Sequence, residues 1–246
     1  MEEKKKRIQL IDKVKHPVLY EIADWVRVIV VAGCIAALIN SLIIANSTVP
    51  TGSMENTIMP GSRVFGLRLS YTFGEVKRND VAIFLYGYKC SNEKKMYRET
   101  KEHVCPGCGR KDSMNARVYY VKRVIGMPGD HIEIKFSGYR EAEAFQNIKI
   151  GPKSDGSMPE VPVGTLYVNG TPVEETYLPE PMIVDGNRYP EIDVTVPAGH
   201  YYMLGDNRNN SADARFWGEN NFVAEERMIA PVYVKYWPLN EIGMIN

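Results

Sequence analysis

The sequence predicts a mainly β protein: a single N-terminal transmembrane helix followed by an all-β domain carrying two insertions. Three observations carry this. One long uncharged apolar run, residues 28–45, stands out from an ordinary composition of 44% hydrophobic and 24% charged residues. Short runs rich in Val, Ile and Tyr recur from residue 63 to residue 237, several alternating polar and apolar side chains as a half-buried strand requires. Fifteen prolines and 20 glycines supply the turns that such a domain needs. The formal net charge of zero and a pI near 6.9 leave no electrostatic footprint for nucleic acid, which is not expected as a partner.

Residues 1–27 hold seven basic and five acidic side chains. The 18 residues 28–45 that follow are free of charge. As a helix they would span about 27 Å, close to the roughly 30 Å of a hydrocarbon core. A cleavable signal peptide is the competing reading, but its apolar region usually covers about 7–15 residues. Ala45-Asn46-Ser47 is also a weak cleavage site. The run reads as an uncleaved anchor in membrane lipid. The basic flank places residues 1–27 in the cytoplasm and residues 46–246 outside.

The exported part reads as strands at 63–69, 80–85, 117–125, 131–135, 166–170, 193–197, 200–206 and 227–237. Met127-Pro128-Gly129-Asp130 closes one of them as a turn. Asn169-Gly170 suits the two-residue type I′ turn of a hairpin. Two stretches, about 87–116 and 137–164, fit no strand pattern well and read as insertions on one β core.

Three blocks could carry chemistry. Ser53 lies in Pro50-Thr51-Gly52-Ser53-Met54, only eight residues beyond Ala45. A tether of that length reaches at most roughly 28 Å, so Ser53 is expected near the membrane surface. Taken alone, this is a juxtamembrane turn. Lys122 sits in the apolar strand around Tyr120-Val121-Lys122-Arg123-Val124. Adjacent side chains on a strand face opposite ways, so one of the two cations must point to the apolar side. A lysine there would have its pKa lowered by desolvation, which suits a general base for a serine hydroxyl. Such a pair needs no histidine, and none of His16, His103, His131 and His200 stands in a triad-like setting. The third block, 205–218, is a dense polar loop after a strand. It reads either as a solvated turn or as a loop held by bidentate pairs among Asp206, Arg208, Asp213 and Arg215, presenting Ser211.

Together, in this order and behind an anchor, the blocks resemble bacterial type I signal peptidases. The resemblance covers most of residues 26–135 and 166–237. It implies that Ser53 is the nucleophile and Lys122 its general base, that Thr51 with the Ser53 backbone N–H forms the oxyanion site, that Ser211 orients the lysine nitrogen, and that Asp213 and Arg215 brace the loop. It further implies preprotein substrates with Ala-x-Ala sites, delivered by the secretion machinery, and no cofactor for catalysis. Two departures, Glu55-Asn56-Thr57-Ile58-Met59 for the commoner Glu-Pro-Thr-Leu wording and Ala214 at a usual serine position, bear on subsite shape. Met54, Ile58 and Met59 read equally as interface or core residues.

The cysteines leave a second question open. Cys34 lies in the anchor, while Cys90, Cys105 and Cys108 lie outside it. With His103 these three make a Cys3His set suited to a structural zinc. A 105–108 disulfide or a longer bridge to Cys90 are the alternatives, each leaving one thiol over. Two rival functions also remain: a specialised peptidase with a narrow client set, and a non-enzymatic membrane-anchored β module binding metal or a partner through 87–116.

Overall fold

The computed structural model describes residues 17–92, 95–98, 104–110, 116–218 and 221–245. It divides at Ile44 into two units. In the first, a 26-residue helix α1 (Pro17–Leu42) is exposed along its apolar length, and its Val18–Leu42 stretch is long and apolar enough to cross a membrane. The helix differs from the apolar run read from sequence. It starts eleven residues earlier and ends at Leu42, so Ile43, Ile44 and Ala45 leave it. Apolar Ile44 and Ala45 serve instead in strand β1 (Ile44–Thr48), where Ala45 is buried.

The second unit, Ala45–Asn246, is built on strands β1, β2 (Arg63–Leu67), β3 (Val81–Lys89), β4 (Met96–Tyr97), β5 (Ala116–Gly126), β6 (His131–Glu141), β7 (Glu160–Val168), β8 (Thr171–Pro172), β9 (Ile192–Thr195), β10 (His200–Leu204), β11 (Val223–Ala224), β12 (Met228–Trp237) and β13 (Gly243–Met244), with a five-residue helix α2 (Leu69–Phe73) after β2. Among the described residues these make two sheets rather than one. Nine strands form the larger, ordered β1-β2-β12-β3-β5-β10-β11, with β13 beside β12 and β4 beside β3; β8-β7-β6-β9 form the smaller.

The expected turns form as their residues require. Asn169 and Gly170 both take positive φ, 52° and 77°, between paired Val168 and Thr171, the geometry a two-residue primed turn needs. Gly129 takes φ 88° in the Met127–Asp130 turn, whose first N–H is held by the Asp130 carboxylate at 2.6 Å. The stretch read as an insertion at 137–164 gives its two ends to a β6–β7 ribbon and leaves residues 142–159 between the strands. The β6–β7 ribbon runs in register from Ile132↔Val168 to Glu141↔Glu160, with a bulge at Phe136/Gly138 where Gly138 takes φ 138°. That bulge breaks the alternation and hid the strand from a period-two reading. The 87–116 stretch likewise gives residues 87–89 to β3 and adds the short β4.

Among the apolar clusters of the described residues, three pack around the strands that carry the site. One packs Met54, Ile58 and Val49 against β2, β3, β5 and β12 through Val64, Ile83 and Val232. Met54 and Ile58 are therefore core, and only Met59 stays partly exposed. A second joins the two sheets through Ile125, Ile132, Ile134, Leu166, Tyr202 and Leu204. The third holds Phe84, Val124, Tyr201 and Met203. Ile132 is fully buried in the cluster between the sheets. Ile132→Ala should destabilise the protein by about 2–5 kcal/mol, since truncation removes buried methyls and leaves a cavity. Thermal unfolding of the full chain in detergent would register this as a clear fall in Tm.

Candidate active site

The residue sequence around Ser53 dictates a sharp local structure. Thr51 is extended (φ −118°, ψ 156°), and Gly52–Met54 then wind into a single 3-10 turn that buries Ser53 and Met54. Met54 anchors this turn in the core, while the Ser53 carbonyl accepts the Asn207 N–H at 3.1 Å. The turn is thus fixed to the 205–218 loop.

Lys122 comes to it from β5. That strand pairs with β3 along its length, Ala82 opposite Lys122, but with β10 only from Arg123 onward. Lys122 Nζ lies 2.6 Å from Ser53 Oγ and also bonds the Val121 carbonyl at 3.1 Å. Only 4% of the lysine is exposed. Burial lowers its pKa to about 8, although Asp213 and Asp206 pull in the other direction. The expectation that one of the two adjacent cations faces the interior is exceeded. Arg123 is buried as well, with 2% exposure, because both faces of β5 are covered here.

The buried arginine changes the pairing expected in the loop. Asp206 does not pair with Arg208. It takes a bidentate bridge from Arg123, Nε at 2.8 Å and Nη2 at 2.7 Å, while that guanidinium lies 4.0 Å over the Tyr177 ring. Thr57 also donates to Asp206. Arg208 instead reaches Glu175, with Nη1 2.8 Å from Oε2, and both side chains are buried. Asp213 and Arg215 do pair, Nε and Nη2 each 2.9 Å from a carboxylate oxygen. Burial by itself would raise the Asp213 carboxyl, but Arg215 and the Gly205 N–H outweigh it and hold it below its ordinary value. Asp206, Asn207, Arg208 and Asn209 are all buried, so the loop is an interior scaffold rather than a solvated turn.

Glu175, Tyr177, Glu180 and Asn209 were not singled out in the sequence. Asn209 donates to Glu180 and to the Pro181 carbonyl, and Glu180 accepts the N–H groups of Gln146 and Asn147. Nothing local marks these residues, whose partners lie about 30 positions apart. Gly205 is a third. Its φ is not positive, yet a Cβ there would sit 2.1 Å from Ser211 Oγ and 2.5 Å from the Ser53 carbonyl oxygen. The glycine is needed for space.

Thr51, Ser53, Lys122 and Ser211 line one cavity of about 660 Å³, together with Tyr119 and Phe216. Thr51 Oγ1 stands 3.4 Å from Ser53 Oγ, although Ser53 lies in a turn and not in the extended segment that the i, i+2 spacing suggested. The Ser211 hydroxyl is buried but forms no hydrogen bond to Lys122 among the described residues. Chemically, a neutral amine within hydrogen-bond reach of a buried serine is equipped to take the hydroxyl proton.

The cysteine set lies apart, in the β3–β5 connection. Cys90, Cys105 and Cys108 are free thiols, so neither disulfide is formed. The Sγ atoms of Cys90, Cys105 and Cys108 lie within 4.8 Å of one another. His103 falls outside the described residues.

Comparison with known proteins gives the chain a family. The family described as signal peptidase, peptidase S26, matches residues 22–140 and 156–237. The chain is 24% identical over 223 residues to the protein named probable signal peptidase I-2 of Synechocystis, covering 89% of this chain and 75% of that one. It is 28% identical to a signal peptidase I of Leptolyngbya laminosa over 80% of this chain and 71% of the relative, and 27% identical to that of Bacillus licheniformis over 89% and 90%. With both stretches of the family matched over most of the chain, this protein belongs to the signal peptidase family and is a serine peptidase.

Proposed function

We propose that the protein is a membrane-anchored endopeptidase that removes signal peptides from exported preproteins, using Ser53 as nucleophile and Lys122 as general base. The observation that carries this reading is the 2.6 Å contact between Lys122 Nζ and Ser53 Oγ in a buried setting. With the amine neutral, the hydroxyl donates to the nitrogen lone pair. Ser53 Oγ attacks the scissile carbonyl as its proton passes to Lys122. The resulting oxyanion collapses, the new N-terminal amine takes the proton from Lys122, and an ester on Ser53 remains. Lys122 then activates a water that hydrolyses the ester and frees the signal peptide. No step draws on a cofactor.

The substrate path fits an extended peptide. The side of β5 ahead of Arg123 is unpaired toward β10, and β1 is the outer strand of its sheet; Ser47–Val49 and Val118–Val121 both line the cavity. Two such edges offer main-chain hydrogen bonds to a strand laid between them. In this reading the part of α1 from residue 28 to 42 is the anchor, residues 1–27 are cytoplasmic, the domain 46–246 lies outside, and the secretion machinery delivers substrates of Ala-x-Ala type. Thr51 assists the oxyanion, Asp213 with Arg215 braces the loop, and Ser211 lines the same cavity as the lysine.

Ser53→Ala and Lys122→Ala should each abolish cleavage of an Ala-x-Ala preprotein while leaving Tm and membrane insertion intact. The double variant should lose little more than either single one, as for residues acting as a unit. Near-normal turnover by either single variant would exclude the dyad.

The pKa of Lys122 sets a pH dependence. At about 8, roughly a tenth of the free enzyme carries the neutral base at pH 7, so kcat/KM should rise through a step near pH 8 rather than near the ordinary lysine value of about 10.4. The unfolded chain keeps this proton up to its ordinary pKa, so between about 8 and 10.5 the lysine makes the fold more stable as pH rises. The pH profile of kcat/KM checks the first statement, and a profile with its lysine-linked step near 10.4 would refute it.

Thr51 separates an oxyanion role from simple packing. Thr51→Ser keeps the hydroxyl and should retain most activity. Thr51→Val keeps the shape and should lower kcat by roughly 10²–10³ with KM little changed, because the lost bond exists mainly in the transition state. The opposite order in steady-state kinetics would assign Thr51 to packing.

A further inference from the structure

We propose that Cys90, Cys105 and Cys108 bind one zinc ion that closes the β3–β5 connection. The inference does not depend on the peptidase reading, since it concerns residues outside the Ser53 cavity.

The geometry points to a four-coordinate metal. Zinc–sulfur bonds of about 2.3 Å at tetrahedral angles put thiolate sulfurs about 3.8 Å apart. Cys90 Sγ and Cys108 Sγ are 3.6 Å apart, and all three sulfurs lie within 4.8 Å of one another. Cys90 and Cys105 are buried and Cys108 half-buried. The backbone is shaped around them. The Cys108 N–H points to Cys105 Sγ at 3.4 Å, and the Gly109 N–H bonds the Cys105 carbonyl at 2.9 Å. Gly109 takes φ +69°, which a side chain would resist. On the other arm, the Cys90 N–H bonds the Lys95 carbonyl at 2.9 Å, turning the chain back into β4.

Valence argues the same way. One disulfide among three thiols leaves the third without a bond, whereas a metal engages all three. Three thiolates favour zinc over hard cations such as magnesium or calcium. The chain's remaining cysteine, Cys34, lies in α1, so the set holds these three thiolates.

The ion would fasten a part of the domain that has little core of its own. β4 pairs with the end of β3 by two residue pairs, Tyr88↔Tyr97 and Lys89↔Met96. The next residue, Arg98, stacks 4.8 Å over Trp217 and 5.3 Å over Tyr86, and it donates to the Phe222 carbonyl at 2.7 Å. Trp217 closes the Ala214–Phe216 turn that Asp213 caps at its start. A metal at the base of this connection therefore steadies the outer side of the loop that backs the Ser53 cavity.

The test uses the full chain in detergent, purified under reducing conditions without a metal-affinity step and then incubated with zinc and desalted. Elemental analysis should find about one zinc per chain, with Ser53→Ala unchanged and Cys105→Ser/Cys108→Ser below about 0.1. Replacement by cobalt(II) should give intense thiolate charge-transfer absorption and the visible bands of a tetrahedral site. The cobalt spectrum of the wild type stands by itself if the double variant fails to fold. Chelation should lower the wild-type Tm by several degrees. Less than about 0.1 zinc per wild-type chain, an octahedral cobalt spectrum, or a disulfide joining two of these cysteines in protein taken from cells would overturn the assignment.

Discussion

The amine of Lys122, held out of water 2.6 Å from the Ser53 hydroxyl, constrains most of what surrounds it. A buried lysine loses its proton easily only while no unpaired carboxylate is near. Asp206 and Asp213 are near, and both pull its pKa upward. Each is locked to a guanidinium, Asp206 to Arg123 and Asp213 to Arg215. Pairing them leaves burial as the dominant influence on the lysine. The two arginines thus bear on the chemistry of Lys122 without touching Ser53.

This arrangement places an unusual number of charges inside a small domain. Arg123, Asp206, Arg208, Asp213 and Arg215 are all at most 8% exposed. Buried ion pairs contribute little net stability by themselves, yet losing one partner leaves an uncompensated charge at a cost of several kcal/mol. What such pairs supply here is shape. The 205–218 loop is tied by Arg208 to Glu175, by Asn209 to Glu180, and through Glu180 to the backbone at 146–147. Segments distant in sequence converge on one loop, and that loop holds the Ser53 carbonyl through the Asn207 N–H.

Sheet pairing leaves one side of β5 open. Because β10 meets β5 only from Arg123 onward, the strand that carries Lys122 keeps an unpaired side along the residues before it. The β6–β7 ribbon and its sheet cover the other end of the core through Ile132, Ile134 and Leu166. The fold is therefore closed where it must be dry and open along one side of β5.

By itself the sequence determined what depends on local chemistry. An uncharged apolar run makes a helix that water does not favour, Asn-Gly makes a primed turn, and alternation makes strands with one face inward. The Ser53, Lys122 and 205–218 blocks carried a family's order, so Ser53, Lys122, Thr51 and Ser211 were legible as members of one site, and the structure draws them around one cavity. Partner choice was not legible. Arg208 turned to Glu175 and Arg123 took Asp206 because burial left each charge to find whatever counter-charge the packed interior brought closest. The bulge at Gly138 concealed half of a ribbon, and the glycine at 205 revealed its purpose only once Ser211 and the Ser53 carbonyl were packed against it. Those features depend on contacts between residues far apart in the chain, which only the tertiary structure decides.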